Sequence, residues 1–155
     1  MNLAKKGTED AVVLLSRKDF INLHNVERLG IGCDLTAQKD GVEYKIEVKA
    51  TRTKGIPDAF ENEFEFDNLG KRPRLKADYL MVVWYNKKDG KDGPQPIGAT
   101  LLTKDVVDRY ADRHIDSEGR AVNEHKVVKH VKFSLELQKG AWNKQEGEWL
   151  DWTEE

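Results

Sequence analysis

Apolar and polar residues alternate along two runs that flank the pair Asp40-Gly41. Each run, 33–37 and 44–48, places an apolar side chain at every second position. An Asp-Gly pair between two alternating runs is a strong signal for a β-hairpin with a two-residue turn. The pattern therefore predicts a hairpin over residues 31–50, in which paired residues have numbers that sum to 81.

This register gives the hairpin one apolar face and one polar face. The apolar face pairs Cys33 with Val48, Leu35 with Ile46 and Ala37 with Tyr44. The polar face pairs Asp34 with Glu47, Thr36 with Lys45 and Gln38 with Glu43. A shift by one residue would mix the two sets, which a sheet with one buried face disfavours. We therefore expect Asp34 directly opposite Glu47, with Lys49 two residues further along the same face.

The remaining pattern predicts a mixed α/β fold. Apolar residues at helical spacing predict a helix over 8–19, with Thr8 as its N-cap and Glu9 in its first turn. Residues 77–86 are apolar on both faces, which is typical of a buried central strand. The other predicted elements are a strand or irregular stretch over 22–28, an irregular or partly helical segment over 51–76, a strand over 97–102, a helix over 103–113 capped by Thr103, and a strand over 127–137.

Composition narrows the class of protein. The chain has 155 residues, of which 38% are hydrophobic, so it is expected to form one domain spanning 1–155. Its formal net charge of −2 excludes a polybasic tail but not a nucleic-acid enzyme, because local patches matter more than the sum. A single cysteine, Cys33, excludes an internal disulfide and a cysteine-based zinc site. No apolar run approaches the roughly 20 residues that span a bilayer, so we expect a soluble, cytoplasmic protein.

The polar face of the hairpin carries the candidate chemistry. Two carboxylates opposite each other repel, yet at about 5 Å between Cβ atoms they can share a divalent cation. Asp34 and Glu47 are that pair, and the ammonium group of Lys49 can orient water or stabilise negative charge. The carbonyl of Val48 lies between them and is a further candidate metal ligand. This set suits metal-assisted hydrolysis of a phosphodiester.

Asp34 followed by Glu47-Val48-Lys49 on the second hairpin strand resembles the PD-(D/E)XK, or restriction-endonuclease-like, nuclease superfamily. The resemblance covers roughly residues 7–86, with Cys33 standing where the family name has proline. It implies a central mixed β-sheet flanked by helices and a Mg²⁺-dependent DNA endonuclease, with Mn²⁺ able to substitute. It also implies that Asp34 and Glu47 bind the metal and that Lys49 assists the attacking water.

The resemblance extends to supporting residues. A glutamate on the preceding helix reaches the metal in many members, and Glu9 is the candidate here. The charge pattern itself adds candidate DNA contacts. Arg52 and Lys54 directly follow the strand that carries the site, and Arg72, Arg74 and Lys76 belong to a cationic run that could follow a phosphate backbone. Cutting both strands of a symmetric site implies a homodimer.

Less specific interpretations of these residues stay open. The polar face can be an ordinary solvated strand face, and Glu9 can simply complement a helix dipole. The basic residues can belong to exposed loops without a ligand. A catalytically inactive nuclease-like module that binds DNA or another protein is therefore the alternative to an enzyme.

Overall fold

The computed structural model describes residues 2–55, 59–65, 75–111, 122–123, 126–127, 130–136 and 147–153. The helices among these described residues are α1 (Leu3–Ser16) and α2 (Lys104–Ala111), and a 3₁₀ turn spans Glu27–Leu29. The strands are β1 (Ile21–Asn25), β2 (Leu35–Lys39), β3 (Val42–Thr53), β4 (Ala59–Glu65), β5 (Tyr79–Asn86), β6 (Pro96–Thr103), β7 (Val122–Asn123), β8 (Lys126–Val127), β9 (His130–Glu136) and β10 (Glu148–Asp151).

Six of these strands form one mixed sheet in the order β1-β2-β3-β5-β6-β10. Strands β3 and β5 run parallel, and the other neighbours are antiparallel. Two smaller antiparallel pairs, β4 with β9 and β7 with β8, stand apart from this sheet in the part of the chain that is described. The fold is therefore mixed α/β, as the sequence predicted.

The predicted register is confirmed in the ladder of β2 with β3, but the ladder starts at Leu35 and does not include the predicted pairs of Cys33 with Val48 and of Asp34 with Glu47. Five pairs form, from Leu35 with Ile46 to Lys39 with Val42, and each pair of numbers sums to 81. Asp40 and Gly41 both have positive φ, 51° and 79°, as a type I′ turn requires. Leu35, Ala37 and Ile46 are fully buried, so the apolar face is the core face.

The other long elements of the sheet also agree with the hydrophobic pattern. Strand β5 lies between β3 and β6, and its residues from Leu80 to Tyr85 are buried, as predicted for a central strand. Strand β6 covers the predicted 97–102. The Val106 amide donates a hydrogen bond to the Thr103 hydroxyl, so Thr103 caps α2 as expected. Residues 112–113 of the predicted helix lie outside the described residues.

Helix α1 packs closely on one face of the sheet through Gly7. A Cβ built on Gly7 would lie 2.8 Å from the Cβ of Ala50, so the helix reaches β3 because residue 7 has no side chain. The Tyr85 hydroxyl donates a hydrogen bond of 2.6 Å to Asp10, whose carboxylate also pairs with Lys6 at 2.7 Å. The Arg17 guanidinium lies over the Trp152 ring and donates to the Trp152 carbonyl. These contacts hold α1 in place at both ends.

The predicted start of α1 is wrong. The helix begins at Leu3, after Asn2, whose side chain accepts a hydrogen bond from the Ala4 amide. Thr8 is therefore a buried residue inside the helix and not its N-cap, and Glu9 lies in the second turn. The helix also ends earlier than predicted, at Ser16.

Strands replace part of the segment predicted as irregular. Strand β3 continues to Thr53, and residues 59–65 form β4, which pairs with β9. Residues 56–58 and 66–74 lie outside the described residues. The strand predicted over 127–137 is present as β9 from His130, whereas β10 was not predicted. No helix among the described residues is long and apolar enough to cross a membrane.

We expect Gly7→Ala to lower the free energy of unfolding by about 1–3 kcal/mol, because the new Cβ collides with Ala50. This loss should appear although alanine favours a helix over glycine by about 1 kcal/mol. Adding Ala50→Gly removes the colliding atom, so the double variant should recover most of the loss. Urea unfolding of both single variants and the double variant measures this. Strictly additive losses would contradict the close approach.

Candidate active site

Asp34 sits immediately before β2 and brackets Glu47 with two hydrogen bonds. Its amide donates to the Ile46 carbonyl at 3.0 Å, and its carboxylate accepts from the Val48 amide at 2.7 Å. The ladder of β2 with β3 ends at Leu35, so the prediction of Asp34 as a ladder partner of Glu47 is wrong in this detail. The carboxylate instead occupies the place where a further strand residue would bond to β3. Asp34 is thereby fixed beside Glu47.

Glu47 and Lys49 lie together on β3. Their side chains approach to 3.7 Å between the Glu47 carboxylate and the Lys49 ammonium group. Because Ala50 contacts α1, the alternation of a strand turns Glu47 and Lys49 to the opposite face of the sheet. The structure thus brings together Asp34, Glu47 and Lys49, as the sequence predicted.

The surroundings of the two carboxylates disfavour their charged forms. Burial raises the pKa of Glu47 to about 7, with the Asp34 carboxylate as the second cause and Lys49 opposing the shift. Burial also raises the pKa of Asp34, against the hydrogen bond from Val48. A cation placed between the two groups would relieve both effects.

The backbone of Val48 offers one more oxygen to this site. The N–H and C=O groups of a strand residue point toward the same neighbouring strand. The Val48 amide points at Asp34, so its carbonyl faces the same gap beyond the start of β2. The predicted role of Val48 as a backbone ligand is therefore compatible with the geometry.

Glu27 is a third carboxylate that the sequence analysis missed. It begins the 3₁₀ turn before β2 and accepts a hydrogen bond of 2.8 Å from the Thr8 hydroxyl. Its charge contributes to the raised pKa values of Asp34 and Glu47. Thr8 is 5% exposed, so a buried helix residue holds Glu27 in place. A signal for this contact is absent from the local sequence, because the two residues are 19 positions apart.

The structure does not bring Glu9 into this group. Glu9 is exposed on α1, and its charge contributes to the raised pKa of Tyr85 on β5. The charges that shift the pKa of Asp34 are those of Glu27 and Lys49. The same two charges and that of Asp34 shift the pKa of Glu47. The predicted catalytic role of Glu9 thus has no support from its position.

A cleft of about 700 Å³ opens next to Asp34. It lies between the first turns of α1 and the segment that leads into β2. Its polar lining includes Lys5, Thr8, Asn25, Glu27, Arg28 and Asp34. The cleft therefore gives a ligand access to the Asp34 carboxylate, with two cationic side chains at its walls.

The predicted DNA contacts differ in their surroundings. Arg52 pairs with Asp89 at 2.7 Å and donates to the Asn86 carbonyl, so it anchors the loop after β5. Lys54 is exposed at the end of β3. Lys76 is exposed, and its side chain lies against Gly32. Arg72 and Arg74 lie outside the described residues.

The donor set fits a magnesium ion better than a metal held by protein groups alone. Within the described ranges, no three His, Cys, Asp or Glu side chains form a group that could hold a metal. Mg²⁺ usually takes one or two carboxylates and completes its shell with water and substrate phosphate. Asp34, Glu47 and the Val48 carbonyl are the groups that could supply such a partial shell.

Comparison with known proteins adds no assignment. No protein-family model, no curated protein and no solved structure matches this chain. The chemical role of the site is therefore argued from its own residues.

Glu47 should make stability depend on pH. Its pKa is about 4.5 in the unfolded chain and about 7 in the folded protein. The folded state therefore binds the proton on Glu47 more tightly than the unfolded chain does. The stability that this tighter proton binding provides is lost as the pH rises through about 7. At pH 8 we expect Glu47→Gln to raise the free energy of unfolding by about 1–3 kcal/mol, and at pH 4 by much less.

Urea unfolding at pH 4, 6 and 8 measures this effect. Glu43→Gln is the matched control, because Glu43 is exposed on the same strand. A Glu47→Gln variant whose free energy of unfolding changes by the same amount at every pH would show that burial does not raise the pKa of Glu47.

Proposed function

We propose that this protein is a Mg²⁺-dependent DNA endonuclease of the PD-(D/E)XK type. The observation that carries the proposal is the convergence of Asp34, Glu47 and Lys49 around the amide of Val48, with the 2.7 Å hydrogen bond holding Asp34 in place. The mixed sheet is compatible with the fold that such an enzyme needs. An ordinary solvated strand face explains neither the partial burial of these carboxylates nor the cleft beside Asp34.

The residues divide into those that hold the metal and those that handle the reacting groups. Asp34, Glu47 and the Val48 carbonyl would hold Mg²⁺, and Mn²⁺ offers the same preference for oxygen ligands. The ion supplies polarisation of the phosphoryl oxygen and a bound water of lowered pKa.

Lys49 is placed to act on the incoming water or on the phosphate. Its ammonium group lies 3.7 Å from Glu47, so it contacts the edge of the metal-binding pair. From there it can orient the water and stabilise negative charge as the phosphorus gains a fifth oxygen. Glu27, held by Thr8, is close enough to add negative charge to the site and so to favour a cation there.

DNA is the proposed substrate because its backbone supplies the phosphodiester. Cationic side chains at the cleft, Lys5 and Arg28, are suited to the phosphates on either side of the cut. Lys76 lies against Gly32, two positions before Asp34, and we include it in the same proposed surface. A homodimer would allow both strands of a symmetric site to be cut.

The second candidate is a catalytically inactive module that binds DNA or another protein. The observation that favours it is the contact between Glu47 and Lys49 at 3.7 Å, which neutralises part of the site without a metal. Metal dependence separates the two candidates, since the inactive module needs none.

Removing one metal-binding charge should abolish cleavage. We expect Asp34→Asn and Glu47→Gln to nick supercoiled plasmid DNA at least about 100-fold more slowly than the parent in Mg²⁺. Asparagine keeps an acceptor for the Val48 amide, so Asp34→Asn should stay folded. Glu43→Gln is the control and should cut at the parental rate. Parental rates in both site variants, or a parent that does not cut in Mg²⁺ or Mn²⁺, would refute the proposed enzyme.

Metal binding should also be visible without DNA. At a Mg²⁺ concentration well above its dissociation constant, we expect the melting temperature to rise by about 2–4 °C, because the ion binds the folded state alone. Asp34→Asn should remove this rise, and Glu43→Gln should keep it. An equal rise in Asp34→Asn would place the ion elsewhere.

A further inference from the structure

Two large apolar side chains are exposed on the loop that leads into the candidate active site. Leu29 is 66% exposed and Ile31 is 44% exposed, with Gly30 between them. Single exposed apolar residues are ordinary on protein surfaces. These two are neighbours on one short segment, residues 28–32, which we call the apolar loop.

The backbone of the apolar loop keeps these side chains away from the core. The Leu29 amide donates to the Val26 carbonyl and closes the 3₁₀ turn. Gly30 and Gly32 then have φ values of 62° and 84°, a left-handed conformation that residues with side chains disfavour. A Cβ on Gly30 would meet nothing within 4 Å, so glycine is required there by the turn and not by crowding.

Cationic side chains stand on both sides of the apolar loop. Arg28 begins it and lines the cleft beside Asp34, together with Lys5 from α1. At its other end, Lys76 lies against Gly32. An apolar tip between cations matches DNA, which has apolar base faces inside a frame of phosphates.

The apolar loop is also within reach of the proposed reaction. Ile31 lies three positions before Asp34, so their Cα atoms are at most about 11 Å apart. A DNA strand advances about 3.4 Å per nucleotide. The loop therefore meets the duplex within about three base steps of a phosphate held at Asp34.

We propose that the apolar loop is a wedge, which inserts Leu29 and Ile31 between stacked bases beside the scissile phosphate. This inference rests on the proposed function for its position but concerns how the substrate is chosen. Insertion of apolar side chains unstacks a base step and kinks the duplex, while flanking cations hold the backbone. The adjoining cleft would receive the kinked strand.

A wedge implies a preference among DNA substrates. Unstacking a base step costs free energy and so weakens binding. This cost is smallest at flexible base steps and at sites that are already unstacked. The preferred substrate is therefore a duplex with a weakened step, such as an abasic site or a mismatch, near the cut.

Binding can be measured without cleavage. A fluorescent 30-base-pair duplex and the same duplex with one central abasic site are titrated in EDTA, and fluorescence anisotropy gives both dissociation constants. We expect the parent to bind the abasic duplex about tenfold more tightly. Leu29→Ala/Ile31→Ala should bind both duplexes equally. Val42→Ala is the matched control, because Val42 is 49% exposed at the distant hairpin turn, and it should keep the preference.

The outcomes separate the wedge from the enzyme. A parent without preference, or a double variant that keeps it, overturns the wedge whether or not plasmid DNA is cut. If the parent does not cleave DNA, the proposed function is overturned. The binding comparison between the two duplexes then still decides whether the loop acts as a wedge. A double variant that turns a dimer into a monomer in sedimentation, with its DNA preference intact, shows that the loop is a contact between copies and overturns the wedge. Should Leu29→Ala/Ile31→Ala fail to fold, Leu29→Gln alone should reduce the preference.

Discussion

The hydrogen bond from the Val48 amide to the Asp34 carboxylate joins the start of one strand to the middle of another. At this point β2 has not yet begun, and the Val48 amide needs an acceptor that no strand residue provides. A side chain takes that place, so satisfying the backbone also positions an ionisable group. The same contact holds Asp34 close to Glu47 although their charges repel. A structural requirement of the sheet thus creates a concentrated negative charge.

The surrounding fold keeps this arrangement rigid. Helix α1 approaches β3 at Gly7 and is held to β5 by the hydrogen bond between Tyr85 and Asp10. One turn of that helix carries Thr8, which orients Glu27 on the segment before β2. The position of the third carboxylate therefore depends on how the helix docks, and not on the hairpin that carries the other two.

The register of the hairpin was predictable because turn chemistry and alternation agree, and a one-residue shift would bury charges. The grouping of Asp34, Glu47 and Lys49 followed from that register. The start of α1 was not predictable from Thr8 alone, since Thr8 and Asn2 are both good caps. Glu27 and strand β10 depend on contacts between distant parts of the chain, and local pattern carries no information about those contacts. Propensity and spacing thus determine the hairpin, while packing determines what surrounds it.

The parallel pairing of β3 with β5 has a consequence for protein synthesis. The hairpin is complete once residue 53 has left the ribosome, and its turn can close within microseconds. Strand β5 ends only at Asn86, so β3 lacks its second neighbour, and α1 lacks Tyr85, until about thirty more residues are made. The nascent chain therefore carries its acidic pair on the three strands β1-β2-β3, exposed to water and to cations, before β5 and the rest of the sheet have been made.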